Sequence, residues 1–505
     1  MGKFDVLTEP WIPVVSVDGQ NMELGLSETL LKAHELSQVC CESPLETYAV
    51  QRFMIAFLMD AYRLERARDR KRLYARGCFD KEVLDQYIEL CRSEGVSFDL
   101  FDEKRPFYQA AFDERYDSEE KKKSAAMLFH ARPSGNSHVH FEHILAETGE
   151  YSPAEALRAI FSAQLFSTAM AQGYPSSVND TPCYYALLCG KNLFETLTLS
   201  MLSLGECAYV EFDRQPSAWR DTATEVPKAE HADISMLEGL TFRPRRITLT
   251  QDADGKVRRV FYQQGQSFHA NGRWRDPHVS YAVNSSGDYV SIKPRLGRMP
   301  WRDVGNYLFS KNDADSRPAD IIRCSSNIIE SETPRILWVF GLTLPPAKAK
   351  YEDWVCDTLT VPGEILLDEY IAEELRSGMG TIEDSAKCVY SAVNAVRNAQ
   401  ERTKDGKKRQ TETASEAQAI FFSQMHGVVF GAYMNALAKA DPEQTDWQNL
   451  PRSILTDAIK TTARRIVREF ANKLGNNARS LEVQVKELAL FEKNLKGILN
   501  ERKAK

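Results

Sequence analysis

The sequence predicts an α+β protein: a large mixed domain over residues 1–365 with a β-rich middle, then an antiparallel four-helix bundle over residues 366–505. Three observations predict it. A chain of 505 residues is too long for one ordinary core. From about residue 240 to 345, short apolar runs alternate with Gly, Asn and Asp turns. Beyond Gly380 the apolar residues recur three and four apart in four stretches, the repeat of amphipathic helices.

The elements follow in order. Residues 4–16 predict a strand ending in a turn at Asp18-Gly19. Residues 44–65 predict a helix whose buried face carries Leu45, Ala49, Phe53, Ala56, Phe57 and Ala61. The capping box Ser152-Pro-Ala-Glu155 opens a helix over 153–171. Turn formers at 172–182 break it, and helix resumes over Leu193–Leu204. In the middle, Ile247–Leu249, Val260–Tyr262, Tyr289–Ile292 and Ile336–Val339 predict strands, with a hairpin turn at Ser285-Ser-Gly-Asp288. Ser377-Gly-Met-Gly380 predicts a flexible hinge near the boundary. In the bundle, Val389, Val393 and Val396 mark one stripe. A capping box at Thr413-Ala-Ser-Glu416 precedes Ala417, Ile420, Phe421, Met425, Val428 and Ala432. Leu455, Ile459, Ala463, Ile466 and Phe470 mark a third, and Leu481, Val485, Leu488, Leu495 and Ile498 a fourth.

Composition narrows the function. Hydrophobic residues at 43% and charged residues at 27% are globular values. A net charge of −7 argues against a generic polyanion binder but leaves room for local basic patches. The 10 cysteines are scattered without a CxxC pair, so neither a zinc ribbon nor a disulfide framework is expected. No signal-like start and no run of about 18 apolar residues occurs, which predicts a reduced, cytoplasmic protein with no membrane partner.

No GxSxG, Walker A, HExxH or GxGxxG motif is present, so no catalytic residue, cofactor or bound metal is expected. The enzyme-like alternative is a metal-dependent nuclease using His130, His138, His140 and His143, which crowd one stretch although the chain has only 9 histidines. The same histidines serve equally to fix a loop. The charge run at 117–123 and the pairs Glu119-Glu120 and Glu373-Glu374 read as solvated. Three basic groupings could reach phosphates or simply face water: Phe242-Arg-Pro-Arg-Arg246; Lys293, Arg295 and Arg298; and Lys460, Arg464 and Arg468 on one helix face. A third reading, motivated by the acidic balance, is a structural adaptor that binds only RNA and protein.

Several segments in order decide among these. Leu7-Thr-Glu-Pro-Trp-Ile-Pro13, Arg105-Pro-Phe-Tyr-Gln109, Leu193-Phe-Glu-Thr-Leu197, Phe242-Arg-Pro-Arg-Arg246, Trp274-Arg-Asp-Pro-His278, Trp301-Arg-Asp303, Arg335-Ile-Leu-Trp-Val-Phe-Gly341, Ala347–Trp354 and Glu416–Gln424 together resemble the large subunit (CasA) of the type I-E CRISPR surveillance complex, Cascade. The resemblance implies a non-catalytic subunit partnered by other Cascade subunits and crRNA. It would recognise the protospacer-adjacent motif (PAM) in duplex DNA, start strand separation and R-loop formation, and recruit a helicase–nuclease. It also implies site positions. A loop contacting the guide RNA falls on Leu128, Phe129, His130, Arg132 and Asn136. A PAM-facing loop falls on Gln172, Gly173 and Tyr174. A wedge falls on Pro362, Gly363 and Glu364. DNA backbone contacts fall on Lys293, Arg295, Arg298, Lys460, Arg464 and Arg468. Where some members carry a PAM-contacting lysine, this chain has Gln264–Gln266, and the wedge lacks the glutamine of some members.

Overall fold

The computed structural model describes residues 3–130, 149–169, 173–179, 183–207, 209, 211–212, 216–221, 230–307, 316–330, 333–344, 353–400, 412–473 and 478–504. The chain divides into two compact units. One comprises Met1–Pro300, Ser316–Glu330 and Ile336–Leu359; the other comprises Trp301–Asp315, Ser331–Arg335 and Thr360–Lys505.

The first unit is organised around the helix Pro44–Tyr62, which starts with Ser43 accepting a hydrogen bond from the Leu45 amide and Pro44 in the first turn. The sequence predicts one buried face. The structure buries every residue from Leu45 to Asp60, because the helix is enclosed on all sides. Phe53 stacks on Phe161 at 4.5 Å and meets Trp219 at 5.4 Å. The helix's polar residues are matched inside: Asp60 accepts from Tyr87 Oη, Ser217 Oγ and Arg220.

Small sheets surround this helix. The strand at the N-terminus is shorter than the sequence suggests. Residues 6–9 turn, with Asp5 accepting from the Leu7 amide, and only Ile12–Ser16 extends. It pairs antiparallel with Asn21–Leu24 and Leu36–Val39. In the β-rich middle, Arg245–Thr250 pairs with Arg259–Gln264, which in turn pairs with Lys122–Ser124. A third sheet orders Asp353–Val361, Arg335–Thr343 and Tyr185–Cys189. The hairpin Tyr281–Val283 to Tyr289–Ser291 turns at Gly287, whose φ of +86° suits glycine.

The Trp-Arg-Asp-Pro-His segment is scaffold. Arg52 Nη1 and Nη2 donate to the Asp276 carboxylate at 3.0 and 2.7 Å, both side chains fully buried. Asn179 donates to the same carboxylate at 2.7 Å and accepts from Trp274 Nε1 at 2.8 Å. His278 lies between Tyr48 Oη at 2.8 Å and the Ser200 carbonyl at 2.9 Å. Its Nε2 must donate to that carbonyl, so Nδ1 accepts from the tyrosine and the ring is neutral. Burial, aided by Arg52, pushes its pKa down to about 4.

In the second unit the long helices are Glu369–Gln400, Glu412–Val428, Asn449–Asn472 and Ala478–Ala504. Val389, Val393 and Val396 are buried, as are Leu455, Ile459, Ala463, Ile466 and Phe470. Other expectations are corrected. Gly378 and Gly380 lie inside a continuous 32-residue helix rather than at a hinge, since two glycines cost only about 1 kcal/mol each against a long packed stripe. Glu412 and Thr413 are already helical, so Thr413 is no N-cap. A π-helical turn at Val429–Tyr433 shifts the phase, burying Val429, Tyr433 and Leu437 and leaving Ala432 exposed. On the last helix Phe491, Leu495 and Leu499 are buried, while Leu481 and Val485 face solvent. Glu374 is buried and takes a bidentate pair from Arg452, the shortest contact being 2.8 Å.

Candidate nucleic-acid interface

The clearest built feature among the site positions is the loop carrying Gly173 and Tyr174. Its two stems are joined through one side chain. Arg245, 1% exposed, donates through Nη2 to the Thr168 carbonyl at 2.6 Å and through Nη1 to the Pro175 carbonyl at 2.5 Å. Its Nε donates to Tyr262 Oη at 3.0 Å. The Ser177 amide closes the loop base on the Ser167 carbonyl. Tyr174 lies on this support: its ring centroid is 5.2 Å from the Arg245 guanidinium carbon, its hydroxyl accepts from Lys123 Nζ at 2.8 Å and donates to the Tyr262 carbonyl at 3.2 Å. Gly173 has a φ of +80°, and a Cβ there would stand 3.2 Å from Gln264 Nε2. The structure therefore brings together Gly173, Tyr174 and Gln264, 90 residues apart in sequence. Gln172 lies outside the described residues.

Leu128 and Phe129 end a short 3-10 turn, Ala125–Leu128. Leu128 is fully buried, and the Phe129 ring is stacked on Tyr151 at 4.1 Å. His130 packs edge-on against Phe166 at 6.1 Å, and burial pushes its pKa down to about 4, so it is neutral near pH 7. Arg132, Asn136, His138, His140 and His143 lie outside the described residues. Among the described residues no group of three or more His, Cys, Asp or Glu could hold a metal ion.

The basic groupings separate on inspection. The Arg-Pro-Arg-Arg segment is internal. Arg246 makes a buried bidentate pair with Asp117 at 2.6 and 2.9 Å, and Arg243 faces Asp221 at 3.4 Å. This corrects the reading of Asp117 as solvated, and these arginines are spent on the fold. Arg295 and Arg298 instead bracket a turn, with the Arg298 amide donating to the Arg295 carbonyl at 2.9 Å and Gly297 at φ +71°. Arg295 is exposed, Lys293 and Arg298 half-buried. In the bundle, Arg464 is held bidentate by Glu492, the shortest contact being 2.7 Å, and Lys460 stands 3.4 Å from Asp457; Arg468 is exposed. Pro362 ends the strand Asp353–Val361, and Gly363 and Glu364 open a short helix to Leu367, with Gly363 buried and Glu364 half-buried.

Comparison with known proteins now decides the family. The family model for CRISPR-associated protein Cse1 matches residues 5–470. The chain belongs to the Cse1 family. A CRISPR-associated protein CasA/Cse1 of Thermus thermophilus is 29% identical over 323 residues, which span 61% of this chain and 60% of that relative. The crystal structure of Cse1 from Acidimicrobium ferrooxidans superposes with a TM-score of 0.78 at 21% identity, covering 99% of each chain. A chain of a CRISPR RNA-guided surveillance complex superposes with a TM-score of 0.74 at 17% identity, covering 97% of this chain and 100% of that one. The mixed first unit and helical second unit are thus the Cse1 fold. Among the described residues no helix is long and apolar enough to cross a membrane.

Within this Cse1 chain, sequence reasoning missed Arg245 as the clasp of the Gly173 loop. Its carbonyl partners lie 70 and 77 residues away, and no local pattern marks them. Lys123, the support for Tyr174, sat in a charge run that sequence alone assigns to solvent.

Proposed function

We propose that this chain is the non-catalytic large subunit of a crRNA-guided antiviral complex. In this reading it recognises the PAM in double-stranded DNA, helps start strand separation and R-loop formation, and recruits a helicase–nuclease. Guide pairing reads the remaining sequence. Leu128, Phe129, His130, Arg132 and Asn136 form the loop that docks on the crRNA and its protein partners. Pro362, Gly363 and Glu364 are the wedge region, and Lys293, Arg295, Arg298, Lys460, Arg464 and Arg468 supply backbone contacts.

One observation carries the reading within the Cse1 family: a loop clamped at both stems by a buried arginine holds Gly173 beside Gln264. A glycine, having no Cβ, lets backbone amides approach a narrow groove, where A·T and G·C are separable. The predicted PAM is accordingly degenerate. Gly173→Ala tests this. At φ +80° a side chain is strained, by about 1–2 kcal/mol, and the new Cβ also presses on Gln264. PAM-dependent affinity of the guide-loaded complex is expected to fall roughly tenfold, with affinity for duplex lacking a PAM within about twofold. Unchanged flank preference would refute the role of this loop.

A further inference from the structure

We propose that Tyr151 and Arg258 are positioning residues for guide docking: with Phe129 they clasp two stems of the chain onto one strand. The inference rests on the docking role given above to the loop that begins at Leu128. It assigns Phe129 to closing that loop rather than to touching RNA.

Both stems are built on the strand Arg259–Gln264 and the two residues before it. On the outgoing side Lys122–Ser124 pairs with Arg259–Phe261, and the Ala125 amide donates to the Arg258 carbonyl at 2.9 Å. The 3-10 turn Ala125–Leu128 then delivers Phe129. On the returning side Tyr151 and Val257 exchange both backbone hydrogen bonds, at 3.1 and 2.8 Å. The next residue, Ser152, is fixed at once by its capping box with Glu155.

The side chains join what the backbone brings together. The Phe129 and Tyr151 rings are stacked and only 8% and 7% exposed. Rings so covered offer little face to a nucleobase, and their contact holds the stems together. Gly149 lets the Tyr151 ring lie close to bare backbone: a Cβ there would stand 2.6 Å from Tyr151 Oη and 3.0 Å from the ring. Arg258 adds an ionic tie. It donates to Glu150 on the returning stem, to Asp252 at 2.8 Å and to Asp254 at 2.7 Å. These three carboxylates are exposed, so this tie is the weaker and the more sensitive to salt. Holding two loop ends together before binding removes part of the ordering cost of docking.

The test titrates labelled full chain into a guide-loaded complex assembled without it. Phe129→Ala and Tyr151→Ala are each expected to weaken incorporation roughly tenfold, the scale of one lost aromatic pair. The double variant should be no weaker than either single one, because residues acting as one pair are not additive. Tyr151→Phe, which keeps the ring, should stay within about threefold of wild type. Arg258→Ala should weaken incorporation about threefold at low salt and match wild type at about 1 M salt. Amide exchange locates the effect. In Tyr151→Ala the amides of residues 151 and 257 should exchange faster, while the helix Pro44–Tyr62 keeps its wild-type rates. Equal acceleration in that helix would make the loss one of general stability and overturn the positioning role. Additive losses in the double variant would mean that Phe129 meets the guide itself, and would overturn the clasp. Wild-type incorporation of Tyr151→Ala would overturn it too. If Arg132→Ala with Asn136→Ala still weakens incorporation, the docking reading survives that result; if not, both fall.

Discussion

Asp276→Ala is expected to destabilise the first unit by about 3–5 kcal/mol, the cost of leaving a buried partner charge uncompensated. Burial raises the Asp276 carboxyl, but Arg52, with His278 and Asn179, holds it below the ordinary carboxylate range. Removing it strands the Arg52 guanidinium, 2% exposed, and frees Asn179 and the His278 amide. Asp276→Asn should cost nearly as much, because the charge on Arg52 remains unbalanced. The double variant Arg52→Met with Asp276→Leu should recover much of the loss, since apolar residues of similar volume replace both ions. Urea unfolding monitored by tryptophan fluorescence checks this, because Trp11, Trp219 and Trp274 all belong to the first unit. A change below about 0.5 kcal/mol, typical of surface substitutions, would contradict the assignment of this pair as central scaffold.

Arg245→Met is expected to have the largest effect on flank recognition. The substitution leaves the Thr168 and Pro175 carbonyls without their donor, each unsatisfied buried group costing about 1–3 kcal/mol. It also removes the cation beneath the Tyr174 ring. The loop should lose its fixed position, and PAM-dependent affinity of the guide-loaded complex should drop more than tenfold, beyond the effect of Gly173→Ala. Incorporation of the chain into the complex should persist, because Phe129 and Tyr151 stack independently of Arg245. Competition binding with PAM and non-PAM duplexes, alongside size-exclusion of the complex, separates the two effects. Retained preference would mean that the clasp does not serve recognition.

The two predictions rest on residues of different legibility. The helix Pro44–Tyr62 was readable because apolar spacing and a proline after Ser43 are local signals. Its burial on every side was not, since that depends on aromatic partners contributed by distant segments, Trp11, Phe161 and Trp219 among them. Arg243, Arg245 and Arg246 look in sequence like a phosphate-binding cluster. A composition of arginines carries no mark of Asp117 or the Thr168 carbonyl, which the fold brings to them. The hinge at Gly378–Gly380 failed for the converse reason: two local breakers were outweighed by a stripe of packed residues on either side. The last helix shows a further limit. Leu481 and Val485 keep the helical period yet face solvent, while Leu495 of the same stripe is buried together with Phe491, which the stripe did not include. Of the candidate site, the Gly173 loop is proposed from family-like segments, whereas its Arg245 clasp and Lys123 support exist only after folding.

The central claim is tested most directly by duplex-target binding of the guide-loaded complex, assembled with and without this chain, against a randomised flank at two salt concentrations. The account predicts that omission lowers affinity and erases flank preference, with the loss in salt slope counting the phosphate contacts this chain makes. Affinity and preference that persist without it would contradict the account and leave the chain as a structural adaptor of RNA and protein.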